Sequence, residues 1–220
     1  LFSLLCVVAV VWMLRVVPRG LHGASLSRDA WGRVFRHPAL VAILLVTAAS
    51  ASGQFTTFAY IAPFVGFRLD ASPNTLSLAL VLFGVAGVIG NVWATRRIAR
   101  AGAASNVQVS LFAMAAGMIT LAAVGSWWVG FIVGALAWGV GVFANNSSQQ
   151  ARLVAASPEL AGASIALNTS MIYLGQAVGT SVGGGVIAGA GYAWLPVVGA
   201  VVLIGAIALS ARATGRAALG

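Results

Sequence analysis

Five neutral polar residues within otherwise apolar stretches are the candidates for binding chemistry in this sequence. They are two glutamines, an asparagine and two tyrosines: Gln54, Tyr60, Asn168, Tyr173 and Gln176. Amide and phenol groups donate and accept hydrogen bonds without carrying a charge at neutral pH. Such groups suit the orientation of an uncharged small molecule. Hydrogen bonding between helices is the alternative role for each of them.

Titratable residues are scarce, and this limits the chemistry. The sequence has three acids, Asp29, Asp70 and Glu159, and each falls outside the apolar stretches. An intramembrane enzyme would need an Asp, His, Cys or Ser constellation within those stretches, but they hold only scattered serines and Cys6. We therefore predict no enzyme activity, no catalytic residue, no metal site and no cofactor.

Composition decides which class of fold must position these side chains. Hydrophobic residues make up 60% and charged residues 7% of the 220 residues, and the mean hydropathy is +1.01. A soluble domain has about a quarter of its residues charged, so a water-soluble fold is excluded. A helix needs about 20 apolar residues to cross the bilayer core. The charge-free runs thus predict an all-α integral membrane protein with one incomplete and six complete spans, at residues 1–17, 39–64, 76–95, 105–124, 128–146, 161–188 and 193–211.

The domain organisation follows from these spans. Residues 1–17 are predicted to be the end of a membrane helix that the chain enters part-way; a cleavable signal peptide is the alternative, but no basic segment precedes the apolar run. Residues 18–37 are predicted to be a cytoplasmic linker with a short amphipathic piece at 31–35. A six-helix transmembrane bundle over 38–213 and a cytoplasmic tail over 214–220 follow.

Basic residues predict the orientation of the bundle. The net charge is +9, and all 12 basic residues are arginines. Eleven lie in odd-numbered connecting segments or the tail, and one, Arg68, lies in an even-numbered segment. Because cytoplasmic loops are enriched in basic residues, the odd segments and the carboxyl terminus are predicted to be cytoplasmic. The positive charge thus indicates orientation in a lipid bilayer and not binding of nucleic acid.

Polar and glycine residues distinguish the predicted helices from one another. Spans 39–64 and 161–188 are rich in hydroxyl and amide residues, whereas 105–124 and 193–211 carry few. Intramembrane polar groups usually face the bundle interior or a wet cavity, so the first two helices are predicted to line a pathway and the other two to face lipid. Gly175, Gly179 and Gly183 recur every four residues, a spacing that predicts close helix packing.

Several segments resemble the major facilitator superfamily. Residues 55–64 and 82–91 look like its seventh and eighth helices. Further segments are similar to helices ten and eleven of its drug:proton antiporter group, in particular its arabinose-efflux-permease-like branch: residues 150–154, 158–162, 166–170 and 175–179. The resemblance covers nearly the whole chain, from the end of helix six through helix twelve.

The resemblance implies the carboxyl half of a twelve-helix secondary transporter in the bacterial inner membrane. Helices seven, eight, ten and eleven would line the cavity, with nine and twelve outside. The implied activity is proton-coupled efflux, by alternating access, of a small organic solute such as a drug, sugar or nucleoside. Its other partners would be the lipid bilayer and the missing amino-terminal half. A proton-independent facilitator or uptake permease, and a helical membrane scaffold without a pathway, are the alternatives.

Candidate gating residues lie in the loop between the implied helices eight and nine. The family motif there is matched at Gly90, Arg96 and Arg100, but Ala99 stands where the family has an acid. Asn91 follows the motif glycine directly. Gating by charge pairing is one role for the arginines, and setting the topology alone is the other.

Two further candidates lie near the predicted cytoplasmic mouth. Asn145 and Gln149 are placed at the end of span 128–146, where they would cap the helix or serve the gate. Proton coupling also needs a titratable group in the pathway. Because no acid lies within a span, the coupling acid is expected in the missing amino-terminal half.

Overall fold

The computed structural model describes residues 2–16, 28–70 and 72–217, and within these ranges the chain is helical. The long elements are α1 (Phe2–Val16), α2 (Arg28–Arg36), α3 (Pro38–Phe58), α4 (Ile61–Leu69), α5 (Pro73–Ala101), α6 (Ala103–Val124), α7 (Trp128–Ala156), α8 (Ala161–Ala190) and α9 (Leu195–Ala217). Short 3₁₀ turns at Pro158–Leu160 and Tyr192–Trp194 precede α8 and α9.

Six of these helices are long and apolar enough to cross a membrane, in agreement with the six complete spans predicted. They are Pro38–Phe58, Pro73–Ala101, Ala103–Val124, Trp128–Ala156, Pro158–Ala190 and Tyr192–Thr214. Prolines fit the starts of two of them: Pro38 follows His37, whose Nδ1 accepts from the Leu40 N–H at 3.4 Å, and Pro73 follows the capping residue Ser72. A proline in the first turn loses no helical hydrogen bond.

The predicted span 39–64 is wrong in one respect, because it is two helices. α3 ends at Phe58, a turn occupies residues 59–60, and α4 begins at Ile61. Pro63 supplies the physical reason: in a continuous helix it would lack a donor for the carbonyl of Ala59 and would clash with that carbonyl. At this break the N–H of Tyr60 donates to the Thr57 carbonyl, three residues back, and the α-helical pattern is interrupted.

The predicted span 128–146 is too short. α7 continues ten residues further, to Ala156, because the polar run that looked like a loop is helical and partly buried. Ser148, Gln149 and Arg152 are among its buried side chains. Arg152, predicted to lie in a connecting segment, is therefore part of the bundle.

The linker and tail predictions are tested only in part. Residues 17–27, which include most of the predicted linker, lie outside the described residues, as do residues 218–220 of the tail. The amphipathic piece predicted at 31–35 lies within α2, whose Val34 packs in a cluster with Leu40, Leu153 and Leu160. α9 extends to Ala217, so the tail predicted from residue 214 begins as helix.

The spanning helices pack in a chain of neighbours. α8 packs against α3, α3 against α9, α9 against α6, α6 against α7, and α7 against α5. α3 and α7 also contact each other and close the arrangement. This order leaves α5 and α8 on the two flanks, where they are the least buried of the spanning helices.

Glycines on α8 lie against the backbone of α3. A Cβ atom built on Gly175, Gly179 or Gly183 would overlap a carbonyl oxygen of α3: that of Ala48, Ser52 and Thr56 in turn. Both sets of residues recur every four positions, so the two helices remain in contact over several turns. The contact fixes the height of α8 beside α3 and therefore the position of every polar group on these two helices.

Candidate functional site

A cavity of about 240 Å³ lies between α3, α5, α7 and α8. Among the described lining residues, α6 contributes one, Met114. α9 supplies none. The helices predicted to be polar and pathway-lining thus meet here, together with α5 and α7.

One wall of the cavity is made of neutral amides and hydroxyls. Its polar residues come from α3, α7 and α8, and are Thr47, Ser50, Gln54, Asn145, Asn146, Gln149 and Gln176. None of the described lining residues carries a charge. This wall can exchange hydrogen bonds with an uncharged molecule, whereas a desolvated ion would find no opposite charge on it.

The other wall is aromatic. Phe55, Phe58, Phe83 and Phe143 line the cavity, and Phe83 joins them, with ring centroids 5.3 Å from Phe58 and 6.0 Å from Phe143. Trp138 packs behind, 5.1 Å from Phe83. Rings in mutual contact have little freedom to rotate, so they add a fixed apolar surface to the lining.

Asn145 and Gln149 are the deepest amides of the cavity. They were predicted to serve the cytoplasmic mouth, but they line the cavity itself, 6% and 0% exposed. Asn145 Nδ2 donates to Ser50 Oγ at 3.2 Å, and its Oδ1 has no partner among the described residues. Neither amide atom of Gln149 has one. The signal available in the sequence is their separation of four residues, which places both on one helix face.

The five residues predicted to contact substrate fall into three groups. Gln54 and Gln176 line the cavity. Asn168 is 1% exposed and lies between helices, where its Oδ1 accepts from Thr47 Oγ1 at 2.7 Å. Tyr60 Oη donates to the Thr180 carbonyl at 2.9 Å. Tyr173 is 65% exposed, on the flank of α8 and outside the cavity lining.

A chain of hydrogen bonds connects the cavity to the α3–α8 contact. Asn145 donates to Ser50, Ser50 Oγ donates to the Thr47 carbonyl at 3.0 Å, and Thr47 Oγ1 donates to Asn168. The chain crosses three helices, from α7 through α3 to α8. It holds the side chain of Asn145 through one N–H and leaves that residue's Oδ1 without a partner among the described residues.

Comparison with known proteins agrees with this architecture. The family model described as Major Facilitator Superfamily matches residues 1–180. The chain belongs to the Major Facilitator Superfamily. It is also similar to the inner membrane transport protein YdhP of Escherichia coli K12 and of Escherichia coli O157:H7, 30% identical to each over 197 residues. The match covers 89% of the chain and 50% of YdhP, so the chain spans about half the length of these relatives.

The residues of this facilitator chain that were predicted to form a loop lie within α5, because that helix continues to Ala101: Gly90 and Asn91 lie in its interior and Arg96 and Arg100 in its last two turns. Gly90 packs closely on the Val140 carbonyl of α7, and Asn91 Oδ1 accepts from Ser147 Oγ at 2.5 Å. These contacts tie α5 to α7. Arg96 and Arg100 are exposed, and neither has an ion pair among the described residues.

Two arginines of the facilitator chain bond to neighbouring helices at opposite ends of the bundle. Arg152 donates to Ser210 Oγ at 3.1 Å and to Thr214 Oγ1 at 2.9 Å, linking α7 to α9. Arg68 donates to the Leu121 and Ala122 carbonyls at 2.8 and 2.6 Å, near the carboxyl end of α6. A cation satisfies the free carbonyls there and is favoured by the helix dipole.

Proposed function

We propose that the chain is the carboxyl-terminal half of a secondary transporter that exports a small uncharged organic solute. The single observation that carries the proposal is the cavity, which four helices line with neutral amides and a cluster of phenylalanines. Ligand sites commonly combine an apolar lining with a few placed polar groups. Membership of the family and the name of YdhP, an inner membrane transport protein, support transport as the activity.

The coupling ion in this proposal is the proton, and its acid lies in the amino-terminal half. Asp29, Asp70 and Glu159 are absent from the cavity lining, and Asp29 is engaged with Arg33 at 3.2 Å. A group that changes charge within the pathway must therefore come from other residues than those described. The matched relatives, which are about twice as long as the chain, have room for a second bundle.

Orientation and gating complete the proposal. The end that carries most of the arginines faces the cytoplasm of a bacterium, with the protein in the inner membrane and its carboxyl terminus inside. Arg96 and Arg100 then lie near the cytoplasmic end of α5, with Gly90 and Asn91 deeper in the same helix. Since Asn91 bonds Ser147, α5 and α7 move as a pair when that end opens.

Efflux from proteoliposomes that contain the full-length protein tests the function. An inward proton gradient is expected to drive solute out and to dissipate as it does so. Gln54→Leu and Gln176→Leu are expected to reduce the flux several-fold, because both side chains line the cavity. Ser181→Ala is the matched control, since Ser181 is exposed on α8 and bonds only its own helix. Flux that ignores the gradient would favour the facilitator, and absence of flux the scaffold.

A further inference from the structure

The amide of Gln149 is the most costly polar group in the cavity. Its side chain is 0% exposed, and neither Oε1 nor Nε2 has a partner among the described residues. A buried polar group left unpaired is destabilising, and each instance in a native structure needs an explanation. An apolar residue of the same size would avoid this penalty, whereas a partner bound in the cavity would satisfy the amide.

Asn145 and Gln149 offer a defined set of free hydrogen-bond donors and acceptors. Gln149 offers two N–H donors and an acceptor oxygen, and Asn145 adds an acceptor oxygen and one N–H, because Ser50 takes only one of its two. Residues four apart on a helix are neighbours on one face. A ligand that satisfies them must present a donor and an acceptor side by side along one edge.

The shape of the remaining surface limits the rest of the ligand. Phe55, Phe58, Phe83 and Phe143 line the cavity, and they offer ring faces and edges but no hydrogen bonds. A polyol would bury hydroxyls against these rings without partners, at a cost for each. A cation would find no carboxylate among the described lining residues. An uncharged flat ring with one polar edge can hydrogen-bond to the amides and contact the phenylalanines.

We propose that Asn145 and Gln149 form a recognition edge for an uncharged ring that carries a hydrogen-bond donor next to an acceptor, as a lactam does. The inference rests on the proposed transport function and adds the class of solute. Gln149 accepts from the ring N–H and donates to the ring carbonyl, and Asn145 Oδ1 accepts any second donor. The phenylalanines contact the flat ring.

Binding of uracil to the full-length transporter in lipid nanodiscs tests the inference. Uracil is a neutral lactam ring; xylitol and 1-methylpyridinium serve as the polyol and the cation. We expect labelled uracil to bind and the other two not to compete. Gln149→Met, which keeps the size and removes the amide, is expected to weaken uracil binding roughly tenfold to a hundredfold, the value of two neutral hydrogen bonds.

The control is Gln108→Met, which removes an amide that bonds the Ile207 carbonyl of α9 and lies outside the cavity; it is expected to leave binding unchanged. If Gln149→Met does not fold, Gln149→Asn is the second variant. Its side chain is shorter by one methylene, which moves the amide away from the ligand, so binding is expected to weaken at least fivefold. Unchanged binding in the folded Gln149 variant, failure of uracil to bind, or competition by xylitol or the cation would overturn the inference.

The two proposals fail separately. Proton-driven export of another solute by the wild-type protein, without binding of uracil, removes the lactam class and leaves the transporter. Binding of uracil that depends on Gln149, without any flux across proteoliposomes, supports the recognition edge and removes the proposed export.

Discussion

Two regions of this bundle that hold buried amides, the α3–α8 contact and the cavity lining, differ in whether those amides have partners. At the α3–α8 contact, Asn168 bonds Thr47, and glycines bring the two backbones together. On the cavity wall, Gln149 and the Oδ1 of Asn145 have no partner among the described residues. The same chemical group thus holds helices together in one region and is available to a ligand in the other. The difference predicts that changes at the contact act on stability and changes at the wall act on transport.

The largest effect is expected at the contact from Gly179→Val. Its Cβ would overlap the Ser52 carbonyl, a backbone atom that cannot turn away. We expect a loss of about 3 kcal/mol or more of stability, as for severe overpacking, measured as a fall in thermal midpoint and in monodisperse yield from detergent. Gly185→Val is the control, because a Cβ there meets nothing within 4 Å. Equal midpoints for the two variants would show that α3 and α8 are not in close contact.

The next effect is expected at the wall and has the opposite sign. Gln149→Met removes a buried amide without a described partner, so the solute-free protein is expected to gain about 1–3 kcal/mol. The thermal midpoint should rise while flux falls. A lower midpoint would mean that Gln149 is already bonded within the transporter, and the contrast between the regions would be lost.

Asn168→Leu sharpens the contrast with a smaller change. It removes the bond from Thr47, whose hydroxyl keeps a second acceptor in the Ile43 carbonyl at 3.3 Å. Interhelical hydrogen bonds in membranes are worth about 0.6 kcal/mol on average, so a loss of that order is expected. Flux per folded molecule should stay within about twofold, by proteoliposome efflux normalised to folded protein. A selective loss of flux would instead assign Asn168 to the pathway.

Tyr60→Phe is expected to have the smallest effect. The ring keeps its packing on Gly183, and only the hydrogen bond to the Thr180 carbonyl is lost. We expect a loss of stability of about 0.5 kcal/mol and no change of flux. Thermal midpoints and efflux rates measured for both Tyr60→Phe and Asn168→Leu check that Tyr60→Phe has the smaller effect. Loss of solute binding in Tyr60→Phe would place the phenol in the binding site.

The sequence predicted the helices better than the directions of their side chains. Runs without charge are a property of the chain alone, so six spans could be read from them, and Gln54 and Gln176 follow from the polarity of α3 and α8. Which way Asn168 points depends on how α8 is rotated against α3, and this is set by the contact of Gly175 and Gly179 with another helix. That rotation cannot be read from one span by itself.

The amide wall was misplaced for a different reason. The polar run from residue 145 to 150 has the composition of a loop, and the end of span 128–146 was placed there accordingly. In the structure this run is helical. Asn145, Ser148 and Gln149 lie on its buried face, while Asn146 and Gln150 are exposed. Tertiary packing extends the helix against local composition. A helical projection of the run would have shown one face with Asn145 and Gln149 together.

The outer helices illustrate the same limit. α6 and α9 were predicted to face lipid because they carry few polar residues, and apart from Met114 of α6 they are absent from the described cavity lining. They are nevertheless more buried than α5 and α8, since each packs against the other and against an inner helix. The low polarity of α6 and α9 therefore predicted that they lie away from the cavity, but it did not predict how much of each helix is exposed.

The bonds of Arg152 have a mechanical consequence. Its guanidinium is held by Ser210 and Thr214, which lie one turn apart on α9. If α7 slid along α9 by a single turn, about 5.4 Å, these bonds would break and leave a buried cation without acceptors. These hydrogen bonds therefore resist sliding between α9 and α7, so that a displacement of α9 is passed to the helix that carries Asn145 and Gln149.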